Sequence, residues 1–409
     1  MLYSVKIQHN PGFFSLLFNP TNGHYDLVFS SFTRSTLISD KILQIPSVSI
    51  KYKKKSKMVP QVITDIFTSP RQIGVVPAGA FGKYHYLTAA TGFFFPGADN
   101  GSISIINTTD ANSPGDPIII SSTVGGQKWF YHRVIWYDVD GDGDQDAITQ
   151  RARGNGSHAD ASQLLWFENP GIIPPPTNWK AHILSTGYED VNFAIHKLPL
   201  PGGRETLVII SGGFFSNRLT ITWSIDNNWK KQTSIRHRII DDAGWYLDLQ
   251  IVDVNDDGID DVLITTWSRP GKENIGAVLV YEVPRRDWRI DKWPKHVLST
   301  DFEQDLGRSK GSPGTPVAFW RLHAAKKNRE KPHIVVNGDD DGKLFLLKPD
   351  SEDPNDWSYT QSTILSTSDS EIVGTIAVGD VDGDGFIEFF IPNYRNQRIV
   401  VMTYKPQNW

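Results

Sequence analysis

The chain has 409 residues, 39% hydrophobic and 21% charged, with 21 Phe, 13 Tyr and 13 Trp, a composition that describes a folded globular protein and excludes a disordered one. Its formal net charge of −5 gives no reason to expect nucleic acid, and no apolar run is long enough for a membrane-inserted helix. The absence of cysteine excludes disulfides, thiolate metal sites and a cysteine nucleophile.

In chain order, the opening MLYSVKIQHNPGFFSLLF lacks a basic region followed by an apolar one, so the chain is expected to be intracellular or to have lost a signal peptide. PGFFSLLFNPTNGHYDLVFSS reads as strand, turn and strand. The basic run Lys51 to Lys57 (KYKKKSK) reads as a solvated loop and not as a phosphate-binding arm. Glycosylation sequons at Asn100, Asn107 and Asn155 tilt the expectation toward a secreted protein, with a cytoplasmic one as the alternative.

Three segments then repeat: WYDVDGDGDQDAIT (136–149), IVDVNDDGIDDVLIT (251–265) and VGDVDGDGFIEFFI (378–391). Each is an apolar run, an acidic turn and a second apolar run. Asn or Asp followed by Trp recurs at Trp179, Trp229, Trp288 and Trp357, and an LST triplet closes short apolar runs at Leu184, Leu298 and Leu365. Between them lie further strand-like runs, LLWFEN, AVLVYEV, KLFLLK and RIVVMTY, while PGIIPPPTN (170–178) reads as loop. A period of about 45 to 70 residues carrying four short strands is the signature of a propeller blade.

The expected fold is therefore all-β, a single seven-bladed β-propeller of four-stranded antiparallel blades over residues 1–409. Six repeats fill 61–409, with units beginning near residues 62, 118, 179, 228, 287 and 356, and residues 1–60 supply a degenerate first blade whose strands pair with RIVVMTY to close the ring.

The acidic turns have metal-loop spacing. Asp138, Asp140, Asp142 and Asp146 stand at positions 1, 3, 5 and 9, with Gly143 at the sixth. Asp253, Asn255, Asp257 and Asp261 repeat the pattern with Gly258, and Asp380, Asp382, Asp384 and Glu388 repeat it with Gly385. Up to three Ca²⁺ ions are expected, which would move the formal charge from −5 to about +1. An EF-hand would need Glu at position twelve, where this chain has Thr149, Ile264 and Ile391. These turns and their flanking strands resemble the FG-GAP/VCBS repeat family, whose seven-bladed propellers include the integrin alpha-subunit head. The resemblance covers roughly residues 120 to 409 and implies that the metal loops lie opposite the usual ligand face. In such loops Ca²⁺ holds the fold and does no chemistry.

A ligand site is expected about six residues before each turn, near the mouth of a central channel. The candidates are Trp129, Tyr131, His132 and Arg133 before the first turn and Trp245, Tyr246 and Asp248 before the second. Tyr84 and His85 (KYHYLTAA) align with Tyr131 and His132 (FYHRVIWYD). Such a ring would stack on a sugar and hydrogen-bond its hydroxyls, unless these side chains merely plug the channel.

HRVIWYDVDGDG and LLWFENPG are also similar to segments of the propeller domain of fungal aldos-2-ulose dehydratases. That resemblance implies histidines at inner-strand starts holding a zinc ion, and here only His132 and His85 match, with Asp248 as a possible further ligand. His196, His323 and His333 fall in strand patterns and read as core or edge residues, and GRSKG (307–311) lies in a Gly/Pro/Ser-rich loop, so Ser309 is not read as a nucleophile. The leading expectation is a lectin-like or adhesion-like module for a glycan or protein partner. A zinc-dependent sugar lyase or dehydratase is the alternative.

Overall fold

The computed structural model describes residues 2–19, 22–33, 39–92, 100–110, 113–121, 128–154, 159–200, 203–242, 244–268, 275–302, 311–321, 330–367 and 372–405. Among these, 28 strands form seven four-stranded antiparallel sheets, the blade pattern of a seven-bladed β-propeller, with a single short α-helix, Val48–Lys53.

Strand β1 (Leu2–Lys6) is set aside by the chain and used last. The first sheet is β2 (Pro11–Asn19), β3 (His24–Ser31), β4 (Asp40–Ile45) and β5 (Gln61–Phe67). The second is β6 (Ile73–Val75), β7 (Tyr86–Ala90), β8 (Ile103–Asn107) and β9 (Ile118–Ile119). The third is β10 (Phe130–Tyr137), β11 (Asp146–Gly154), β12 (Ala159–Glu168) and β13 (Lys180–Thr186). The fourth is β14 (Asn192–Pro199), β15 (Glu205–Gly213), β16 (Arg218–Ser224) and β17 (Ile235–Asp241). The fifth is β18 (Tyr246–Val252), β19 (Asp261–Thr266), β20 (Ala277–Tyr281) and β21 (Lys295–Ser299). The sixth is β22 (Pro316–Phe319), β23 (His333–Asn337), β24 (Lys343–Pro349) and β25 (Tyr359–Ser366). The seventh joins β26 (Ala377–Gly379), β27 (Glu388–Asn393) and β28 (Arg398–Thr403) to β1, with Tyr3 opposite Val401.

The chain divides into two compact units, residues 1–29, 44–61 and 243–409 in one and 30–43 and 62–242 in the other. The second and third strands of the sheets are largely buried. DVLITT of β19 and AVLVY of β20 are buried throughout, as strands covered on both faces must be. Fourth strands such as KHVLS and YTQSTILS alternate with solvent because they carry a sheet edge.

The two sequence repeats have separate structural causes. The Leu of LST is a bulge residue: Leu164 pairs with Ser185 and Leu165 with Ile183, so Leu184 is left between them and turned into the core, and Leu298 is placed alike between Val297 and Ser299. In the third copy the bulge falls one residue earlier, at Ile364. The Trp of the second repeat stands in the connection that leads into a fourth strand and, in three of its copies, packs into the core shared with the preceding sheet. Trp179 lies edge-on to Phe81 at 6.1 Å and to Trp136 at 6.0 Å, Trp229 packs with Ile148 and Leu164, and Trp357 packs beside Val252 and Val280.

Because the Trp motif heads a fourth strand, units counted from it begin one strand before each sheet does. Likewise β5 belongs to the first sheet, so the boundary expected at residue 61 falls inside that sheet.

Candidate functional site

The three acidic turns each join a first strand to a second strand and share one hydrogen-bond scaffold. In the first, both carboxylate oxygens of Asp138 accept backbone N–H groups, from Gly141 at 2.8 Å and Gly143 at 3.1 Å, and Asp146 accepts from Val139 at 3.0 Å. In the second, Asp253 accepts from Asp257 and Gly258, and Asp261 from Val254. In the third, Asp380 accepts from Gly383 at 2.7 Å and Gly385 at 2.9 Å, and Glu388 from Val381. The fourth loop position is left-handed in all three, filled by Gly141, Gly383 and, against the usual cost of a side chain there, Asp256 at φ 60°.

The donor set fits a hard cation. Oxygens of Asp138, Asp140 and Asp146 lie within 4.8 Å of one another, as do those of Asp380, Asp382 and Glu388, which suits ligands about 2.3–2.6 Å from one Ca²⁺. In the middle turn Asp257 faces Arg285 at 2.9 Å and accepts from Asn255 Nδ2 at 3.3 Å. The ninth-position acids carry the electrostatic signature of the cluster. Burial pushes Asp146 up to about 7 and Asp261 and Glu388 up to about 8, and neighbouring carboxylates push the same way. Each turn also meets a basic side chain that the spacing does not announce. Lys230 Nζ stands 2.6 Å from Asp140, Arg285 contacts Asp257, and Lys405 Nζ stands 3.0 Å from Asp384.

The ligand-face candidates sort differently. In β10 and β18 the register slips at equivalent points, between Tyr131 and Val134 and between Tyr246 and Leu249, so His132–Arg133 and Leu247–Asp248 occupy matching bulges. Three of the aromatic candidates are core. Trp129 is 6% exposed, Tyr131 2% and Tyr246 0%, with the Tyr246 hydroxyl 3.0 Å from that of Tyr281. Asp248 is buried and accepts the N–H of Leu249 at 2.8 Å. Trp245 keeps partial exposure and stacks on Trp267, with centroids 5.8 Å apart and planes at 12°.

Arg133 donates to the Phe193 carbonyl at 3.1 Å, and His132 Nδ1 lies 2.9 Å from Asn192 Oδ1. His132 retains some surface yet sits deep among protein atoms, and that desolvation, with the Arg71 and Arg133 charges, holds its imidazole well below the usual range.

His85 is not the counterpart of His132. It is exposed just before β7, a second strand, with its N–H on Thr109 Oγ1, whereas the His132 carbonyl accepts from Gln72, which pairs with Ala90 at the far end of β7. Five residues of extended strand, roughly 16 Å, separate those ends. A zinc site built on His85 and His132 together is therefore not assembled. His333 is held by Tyr404 Oη at 2.8 Å and His196 lies in β14, while His323, Ser309 and the sequon Asn155 fall outside the described residues.

The chain is a β-propeller of the seven-bladed class with repeated acidic turns. No protein-family model matches it, and no curated protein does. Among solved structures it is similar to a puromycin hydrolase mutant complexed with PGG, at 11% identity and TM-score 0.52 over 94% of this chain, which spans only 50% of the hydrolase. It is also similar to the NanB sialidase of Streptococcus pneumoniae (12% identity, TM-score 0.42, 97% of this chain and 68% of that one) and to an auxiliary nutrient binding protein of Bacteroides ovatus (9%, 0.43, 98% and 76%). At such identities the likeness speaks for the fold alone.

Proposed function

We propose that the protein is a calcium-stapled binding module of the FG-GAP/VCBS type, recognising a glycan at the end of its third sheet that carries the His132–Arg133 bulge. The observation that carries the calcium part is the repeated scaffold: three turns hold their first acid by two backbone N–H groups and bury their ninth-position acid, and in the first and third of them three carboxylates converge within 4.8 Å, which crowds like charges unless a cation joins them. The ions hold structure, because protein oxygens fill the cage. The bulge re-aims side chains at that end of β10, which favours recognition there.

An extracellular setting suits the reading, since calcium modules outside cells work with dissociation constants of about 10⁻⁴–10⁻³ M. A zinc lyase is disfavoured by the separation of His85 from His132 and by the engagement of His132 with Asn192.

The test is elemental analysis followed by a glycan array on the calcium-loaded protein. Two or three calcium ions per chain with saturable glycan binding is the expected result. Calcium-loaded protein that binds no glycan overturns the recognition part, and stoichiometric zinc overturns the reading in favour of lyase chemistry.

A further inference from the structure

Beside the bulge of β10 lies a pair of guanidinium groups with no carboxylate against them among the described residues. Trp129, Tyr131, Arg151 and Arg153 meet where β10 and β11 begin to diverge, with Tyr131 directly opposite Arg151. The Arg151 guanidinium lies 4.5 Å from the centroid of the Trp129 indole and that of Arg153 lies 5.6 Å from the same centroid. Arg151 is further fixed by donating to Gln163 Oε1 at 2.8 Å and to the Tyr131 hydroxyl at 3.4 Å. Arg153 makes only the indole contact among the described residues, and neither arginine meets a carboxylate among them.

Indole contact restrains a guanidinium by its face and leaves its edge, where the N–H groups lie, free to grip an oxyanion in bidentate fashion. Two like charges on one buried indole repel, and this in a chain of formal charge −5. An anion between or beside them would remove that repulsion.

We propose that Arg151 and Arg153, oriented by Trp129, form a subsite for the anionic group of an acidic sugar, a carboxylate or a sulfate ester. The inference rests on the glycan-binding reading above and narrows it to acidic glycans. Arg153 supplies the grip, while Arg151, tied to Gln163 and Tyr131, is the positioning member whose charge adds to the attraction. Affinity should then fall as salt is raised, to the extent that the half-buried Arg153 is reached by screening ions.

Calorimetric titration compares sialyllactose with lactose, and a heparin-derived hexasaccharide with its desulfated form, for the unaltered protein and for Arg153→Gln and Arg153→Lys. Preference for the acidic member of at least one pair is expected, with roughly ten-fold weakening in Arg153→Gln, partial retention in Arg153→Lys and an unchanged melting temperature. Which pair discriminates tells carboxylate from sulfate. Neutral and acidic members bound equally, or an affinity untouched by Arg153→Gln, overturns the subsite while leaving glycan recognition standing. Failure of all four probes, with no glycan bound on an array, overturns both.

Discussion

Lys230 Nζ is 2.6 Å from Asp140 Oδ2 and 2.6 Å from Glu168 Oε1, so one ammonium ties the first acidic turn to the end of β12. Lys230 itself comes from the connection between β16 and β17 of the neighbouring sheet. The hydrogen bond from Lys230, ahead of those with His182 and Lys180, draws Glu168 down to about 2, and both acids raise Lys230 in return. The ammonium thus occupies a carboxylate that a cation in the turn would also use.

Replacing Lys230 by Met should therefore tighten calcium at this turn. The lysine side chain is 41% exposed, so the competing contact is screened, and a two- to five-fold gain is the scale expected of a surface ion pair of about 0.4–1 kcal/mol. Competition with a chromophoric chelator measures it; no change would mean that Lys230 and the ion do not share Asp140.

Removing calcium should lower the melting temperature, because an ion bound only by the folded state stabilises it by about 2.7 kcal/mol at one hundred times its dissociation constant. Calorimetry with and without EGTA should show a loss that returns on adding calcium, and Asp380→Ala should abolish part of that response. An identical melting curve after verified removal would refute the staple.

Acid should weaken the fold through its buried histidines. Desolvation, followed by the Lys348 and Arg321 charges, lowers His333 to about 4, and His132 is lowered as well. A folded value below the unfolded one near 6.5 means that the neutral imidazole stabilises the fold above pH 6.5, and that this is lost as pH falls toward the folded value. For His333 the loss between pH 7 and 5 should be about 1–2 kcal/mol. Urea unfolding of the protein and of His333→Gln at both pH values should show a shallower loss in the variant.

Trp179→Ala should cost about 3–5 kcal/mol, since Trp179 is 2% exposed and meets Phe81 across the sheet interface and Trp136 of its own sheet. Chemical denaturation should show it. A cost below about 1 kcal/mol would mean that the Asn/Asp-Trp repeat does not join neighbouring sheets.

The acidic turns were legible in the sequence because every group of the scaffold, from Asp138 through Gly143 to Asp146, lies within one local stretch whose spacing is itself the signal. Apolar second and third strands were legible for the same local reason. Register was not. The bulge that carries His132 and Arg133 exists only in relation to β11, so KYHY and FYHR looked alike although one precedes a second strand and the other lies in a first. Trp129 and Tyr131 read as a sugar-facing platform because an aromatic residue on a strand is written the same way whichever face it takes. Lys230, Arg285 and Lys405 reach their turns from other parts of the chain at no common spacing, and Arg153 stood out only when its place on the Trp129 indole, with no carboxylate against it among the described residues, could be seen.

The seventh sheet also sets a clock. Arg398 donates to Ser4 Oγ at 2.7 Å across 394 positions, and among the described residues β1 pairs in its sheet with β28 alone. At about 5–20 residues per second of synthesis, β1 waits roughly 20–80 s before the strand it pairs with exists. Through that interval β1 is a strand without its partner, so its exposure to proteases and to wrong partners is set by the rate of elongation and ends only when β28 arrives.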